Sequence, residues 1–118
     1  MQLGRTTLSK FVIEQLRNTP DQSDLGALLI DVAAAVKTIS AMVAKGALAG
    51  YHGALDSTNI QGEVQKKLDV LTNEAMLHHC EWGGQLAGMA SEEVDDPWPI
   101  PEQYPRGRYI LIFDPLDA

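Results

Sequence analysis

Two short acidic motifs hold the side chains best suited to chemistry in this chain. Ser91-Glu92-Glu93 follows the apolar run from Leu86 to Ala90, and Asp114-Pro115-Leu116-Asp117 follows the run from Tyr109 to Phe113. If the two runs are neighbouring strands, the carboxylates of Glu92, Glu93, Asp114 and Asp117 converge at their C-terminal ends. Hard divalent cations such as Mg2+ bind through oxygen in such places. Pro115 restricts the backbone, so that both aspartates and the Leu116 carbonyl can face one point. Each motif also has a plainer reading, since paired glutamates are usually a solvated surface and an aspartate-rich turn ends many strands. Their shared placement at strand ends favours a metal site.

The elements that must position these motifs can be read from spacing. Thr6 or Thr7 caps a first helix over about 7–17, with Leu8, Phe11, Val12 and Leu16 as its buried stripe. Asp24 opens a second helix over about 24–44, where Leu25, Leu28, Leu29, Val32, Val36, Ile39 and Val43 recur every three or four residues. Lys45-Gly46 reads as its stop, and the glycine-rich stretch from Gly46 to Gly62 as a loop. A third helix spans about 63–79, marked by Val64, Leu68, Leu71 and Ala75. Two buried strands follow at about 86–90 and 109–113, separated by a proline-rich excursion from Asp95 to Gly107. The fold expected is α+β, three N-terminal helices and then two strands. Two strands make a marginal sheet, so the chain either oligomerises through unpaired edges or is the front part of a longer α/β or α+β protein; the second is favoured.

Bulk properties set outer limits. The 118 residues suit one domain, with 45% hydrophobic and 21% charged residues and a formal net charge of −7. That balance argues against a general nucleic-acid or anionic-membrane surface. One cysteine, Cys80, permits no internal disulfide and points to a reducing compartment, the cytoplasm by default. No apolar signal core follows Met1, and no window is expected to approach the roughly 20 apolar residues of a membrane span.

Four stretches together resemble class I fructose-1,6-bisphosphatase. They are Ser91-Glu92-Glu93, Phe113-Asp114-Pro115-Leu116-Asp117, Ser57-Thr58-Asn59-Ile60-Gln61-Gly62-Glu63 and Lys66-Lys67-Leu68-Asp69-Val70-Leu71. The acidic motif alone is shared with inositol monophosphatases and related sugar and nucleotide phosphatases; Asn59 and the Lys66 to Leu71 stretch single out the bisphosphatase. The resemblance runs from about Thr6 to Asp117 and covers the first third or so of such an enzyme. It therefore implies the incomplete N-terminal part of a sugar-phosphatase fold of layered helices and sheets, with the C-terminal part absent.

The resemblance implies that Glu92, Asp114, Asp117 and the Leu116 carbonyl bind catalytic Mg2+, two or three ions per complete site. Glu93 and Asp69 activate and orient the attacking water, and Asn59 and Glu63 belong to a mobile loop that completes the site. The implied reaction removes the 1-phosphate of fructose 1,6-bisphosphate, in a cytoplasmic homotetramer. An inhibitory AMP pocket is implied through Arg108 and Tyr109 only, because Gln22-Ser23-Asp24-Leu25-Gly26 replaces the family's glycine- and threonine-rich phosphate-binding turn. A chain that stops at Ala118 is expected to be an inactive fragment. The alternatives are a non-catalytic truncated assembly or regulatory module, and an inositol or nucleotide phosphatase of the same superfamily. His78 and His79 point about 100° apart on a helix and do not chelate. Cys80, Trp82 and Met89 read as packed residues, and Lys66 and Lys67 as a solvated face able to steer an anion.

Overall fold

The computed structural model describes residues 4–53 and 58–116, without the side chains of 49–61. Three helices precede a small sheet: α1 (Leu8–Leu16), α2 (Ser23–Gly53), α3 (Thr58–Cys80), β1 (Leu86–Ser91), β2 (Trp98–Pro99) and β3 (Tyr109–Phe113). Thr7 caps α1, its Oγ1 accepting from the Lys10 amide at 3.1 Å. A 3-10 turn over Pro20–Gln22 leads into α2.

Both long helices exceed the lengths that local signals suggest. α2 passes through Lys45-Gly46 to Gly53, and α3 begins at Thr58, which corrects the stop at Gly46, the loop over 46–53 and 58–62 and the start at Glu63; the remainder of that expected loop, 54–57, lies outside the described residues. Packing is the reason. A Cβ on Gly46 would lie 2.8 Å from Leu68 Cδ1 of α3, so this glycine lets two helices approach and its cost to the helix, about 1 kcal/mol against alanine, is offset by that contact. Gly26 plays the same part lower in α2, where a Cβ would lie 2.6 Å from Leu16 Cδ1 of α1.

The sheet has order β2-β1-β3, one strand more than expected. β1 and β3 run parallel, with Met89 opposite Leu111 and Ser91 opposite Phe113. β2 pairs antiparallel to β1, Met89 opposite Trp98 and Gly88 opposite Pro99. Prolines hid it from a reading of the sequence, yet an edge strand tolerates a proline that donates nothing.

The core joins Leu28, Ala35 and Ile39 of α2 to Ala75, Met76, Leu77 and Cys80 of α3 and to Leu86, Met89 and Ile100 beneath. Several expected core residues lie outside it. In α1 only Val12 is buried, while Leu8 and Phe11 are exposed. Trp82 is exposed, unlike Met89. β3 alternates, so Ile110 and Ile112 are 68% and 78% exposed and the strand is covered on one face only. Residues 20–48 are long and apolar enough to cross a membrane by length and composition alone, correcting the expectation that no window comes near. Core helices of soluble proteins pass the same test but are mostly buried, whereas 11% of this window is buried; Leu28, Ala35 and Ile39 of α2 are its residues in the core shared with α3.

Candidate metal centre

Parallel pairing determines where the acidic motifs meet. Because Ser91 stands opposite Phe113, Glu92 and Asp114 leave adjacent strands at the same level, and the ladder continues one step as the Glu92 amide donates to Phe113 O at 3.0 Å. In a parallel pair both C-terminal ends lie on one side, so the two motifs share that edge. Past it, the chain turns over residues 91–94, closed by the Val94 amide on Ser91 O at 3.2 Å. Glu93 is held within this turn by donation from its amide to Ser91 Oγ at 3.2 Å. On the other strand, Asp114 Oδ1 accepts from the Leu116 amide at 3.3 Å, an Asx-type closure around Pro115.

Glu92, Glu93 and Asp114 can thus present one carboxylate oxygen each, all within 4.8 Å of one another. The charges repel, and Glu93 registers it: loss of hydration raises its pKa, and the charges of Asp69, Glu92 and Asp114 add to the rise. Asp69 faces this cluster from α3, where its Oδ1 accepts from Gln65 Nε2 at 3.2 Å. A cleft of about 230 Å³ between α3 and the turn is lined by Asp69, Val70, Asn73, Glu74, Glu93 and Val94. A set of hard carboxylate oxygens crowded against mutual repulsion fits a divalent cation, which would neutralise the charge that brings them into conflict.

The remaining sequence candidates fall into four groups. Glu63 is exposed on α3, six residues before Asp69 and so about 9 Å away along the helix axis; it is not part of the cluster. Asn59 lies in the first turn of α3, its side chain outside the described residues, as are Ser57 and Asp117. Leu116 is placed beside Asp114 through its amide.

Arg108 and Tyr109 sit elsewhere, at the start of β3. The Arg108 guanidinium donates through Nε to Asp24 Oδ2 at 2.8 Å and through Nη2 to Asp24 Oδ1 at 2.9 Å and Asp21 O at 2.6 Å. Its carbon also lies 5.1 Å from the Tyr109 ring centroid. The hydrogen bond and charge of Arg108 hold the Asp24 carboxyl below its usual range, and Asp24 raises the Arg108 pKa in turn. This pair bolts β3 to the start of α2.

One residue near the centre escaped the sequence reading. Asn73, 8% exposed, accepts the Ser91 hydroxyl proton on its Oδ1 at 2.5 Å. Its spacing of four from Asp69 puts both on one face of α3, and that was the available signal.

Residues 6–118 match the family described as fructose-1-6-bisphosphatase, N-terminal domain. Among solved structures, fructose-1,6-bisphosphatase from Leishmania major in holo form is similar at a TM-score of 0.72 and 27% identity, over 96% of this chain and 32% of that one. The chain thus spans about a third of the length of that enzyme.

Proposed function

This chain belongs to the fructose-1,6-bisphosphatase family, and from that premise we propose that it supplies the metal-binding and water-orienting part of an active site that hydrolyses the 1-phosphate of fructose 1,6-bisphosphate. The products are fructose 6-phosphate and inorganic phosphate. The observation that carries the reading is the meeting of Glu92, Glu93 and Asp114 at the ends of two parallel strands, with Asp69 facing them.

In this reading Glu92 and Asp114 hold Mg2+, joined by Asp117 and the Leu116 carbonyl. A divalent ion held there would neutralise phosphoryl oxygens and make bound water more acidic. Glu93 and Asp69 hold and orient the attacking water and accept its proton. A carboxylate with a raised pKa is a stronger base than an ordinary one and is therefore better suited to that task. Asn59 and Glu63 belong to the segment that completes the site, as the family resemblance implies. Arg108 and Tyr109 remain candidates for a nucleotide such as AMP, which would have to compete with Asp24 for the guanidinium. The working protein is a cytoplasmic homotetramer, and the 118 residues alone turn over no substrate, because they span about a third of the related enzyme.

The test is a Mg2+ and Mn2+ binding titration of the 118-residue chain and of Asp114→Asn, with phosphate release from fructose 1,6-bisphosphate measured alongside. Metal binding lost in Asp114→Asn, without turnover, is the expected result. Binding unaffected by that substitution would remove the metal site, and robust turnover would remove the claim of inactivity.

A further inference from the structure

The polar groups behind the acidic turn form a relay. Ser91 Oγ has a single proton, and it goes to Asn73 Oδ1 at 2.5 Å. The hydroxyl lone pairs are left to accept the Glu93 amide at 3.2 Å. Asn73 is 8% exposed on α3, one helical turn beyond Asp69, so the helix that brings one carboxylate to the cleft also fixes the turn bearing another.

We propose that Asn73 is a positioning residue of the carboxylate cluster, acting through the Ser91 hydroxyl to fix the turn that carries both Glu92 and Glu93. The proposal rests on the metal-site reading for its purpose but not for its geometry. With Asn73 in place the Ser91 proton has one destination and the Glu93 amide one acceptor. Without it the hydroxyl is free to rotate and donate to a nearby carboxylate, and the turn loses its tie to α3. An amide serves better than an acid at this position, because aspartate would add another negative charge beside Glu93. Groups that orient ligands in this indirect way are commonly worth about tenfold or more in metal affinity.

The test uses Asn73→Ala, Ser91→Ala, the double variant and Ser91→Thr, with Mn2+ affinity read from the resonance of the free ion and Glu93 amide exchange read by NMR in metal-free protein. Each alanine variant should weaken Mn2+ binding about tenfold, and the double variant about as much as either single one, since all break one relay. Ser91→Thr keeps the hydroxyl and should bind within about twofold of the parent, a rescue that mere support of the fold would not require. The Glu93 amide should exchange about tenfold faster in Asn73→Ala, while melting shows the variant still folded. Unchanged exchange overturns the relay, as do losses that multiply in the double variant. If the parent binds no Mn2+, or Glu92→Gln binds it equally well, the metal reading fails instead, and the exchange rate still decides whether Asn73 sets the turn. Should Asn73→Ala not fold, Asn73→Ser provides the same exchange measurement.

Discussion

Gly107→Ala should disturb the carboxylate cluster proposed to hold metal, and should do so from the opposite end of the sheet. A Cβ at this position would collide with the carbonyl carbon and oxygen of Gln85 and lie 2.5 Å from Gly84 O. These are backbone atoms, so no side chain can swing aside. The same junction holds two bonds that set β3 against β1, from the Gly107 amide to Leu86 O at 2.9 Å and from the Tyr109 amide to Gln85 O at 3.0 Å. Overpacking of a rigid site costs about 1–3 kcal/mol, and weakening two backbone hydrogen bonds adds about 1 kcal/mol each. The sum of about 3–5 kcal/mol is a large share of the 5–15 kcal/mol typical of a domain. At roughly 4 °C per kcal/mol for a chain of this size, melting should fall by about 12–20 °C. Displacing β3 also separates Asp114 from Glu92, so Mn2+ affinity should fall even below the melting range. Thermal melting by circular dichroism and a Mn2+ titration at 10 °C read the two effects. Gly62→Ala is the control: nothing lies within 4 Å of a Cβ there, and alanine in a helix should leave stability equal or up to about 1 kcal/mol higher. Melting of Gly107→Ala within about 3 °C of the parent would refute the close-approach reasoning.

Three further outcomes follow from charge and burial. Asp24 has its pKa lowered from 3.8 by Arg108, so their pairing stabilises above that value and is lost as pH falls through the depressed one; Arg108→Met should lower the melting temperature at pH 7, with the gap closing only in strong acid. Glu93 has its pKa raised from 4.5, so its ionised form costs stability as pH rises through the raised value. Glu93→Gln should raise the melting temperature of metal-free protein at pH 7 and match the parent below pH 4.5, and a gap of opposite sign at neutral pH would show that the crowding is not felt. Cys80 is buried and its thiol is pushed up to about 11 by burial and by the Asp31 charge. At pH 8 it should react with a disulfide reagent only as fast as the chain opens, which is checked by comparing the labelling rate with and without 6 M guanidinium.

What the sequence reveals depends on whether a feature is decided locally. The 109–113 strand is bounded by a polar turn on each side, and the structure has it at Tyr109–Phe113. Gly46 shows the opposite case. Glycine after lysine is a local stop signal, but its meaning here comes from Leu68, more than twenty residues away and in van der Waals conflict with any larger residue. β3 shows a third: Tyr-Ile-Leu-Ile-Phe is apolar on both faces, so nothing in the strand tells which is covered, and Ile110 and Ile112 lie outside the core described. Asn73 escaped for a related reason: its spacing from Asp69 marks a shared helix face, but its partner is a hydroxyl on a different element.

The acidic motifs lie on the boundary between these cases. Residue types suggested oxygen ligands and proximity to strand ends suggested convergence, but convergence required the strands to be parallel neighbours. That is a long-range fact, set by the register of Ser91 on Phe113 and maintained by contacts at the far end, where Gly107 meets Gln85 and Arg108 grips Asp24. The like charges of Glu92, Glu93, Asp114 and Asp69 work against this crowding: the Glu93 pKa is raised by loss of hydration first and by the neighbouring carboxylates in addition. Such a cluster persists because packed strands and the Asn73–Ser91 tie hold it. The residues that keep the site together are therefore not the acidic ones, and substitutions at Gly107 or Asn73 should weaken metal binding while leaving every ligand in the chain.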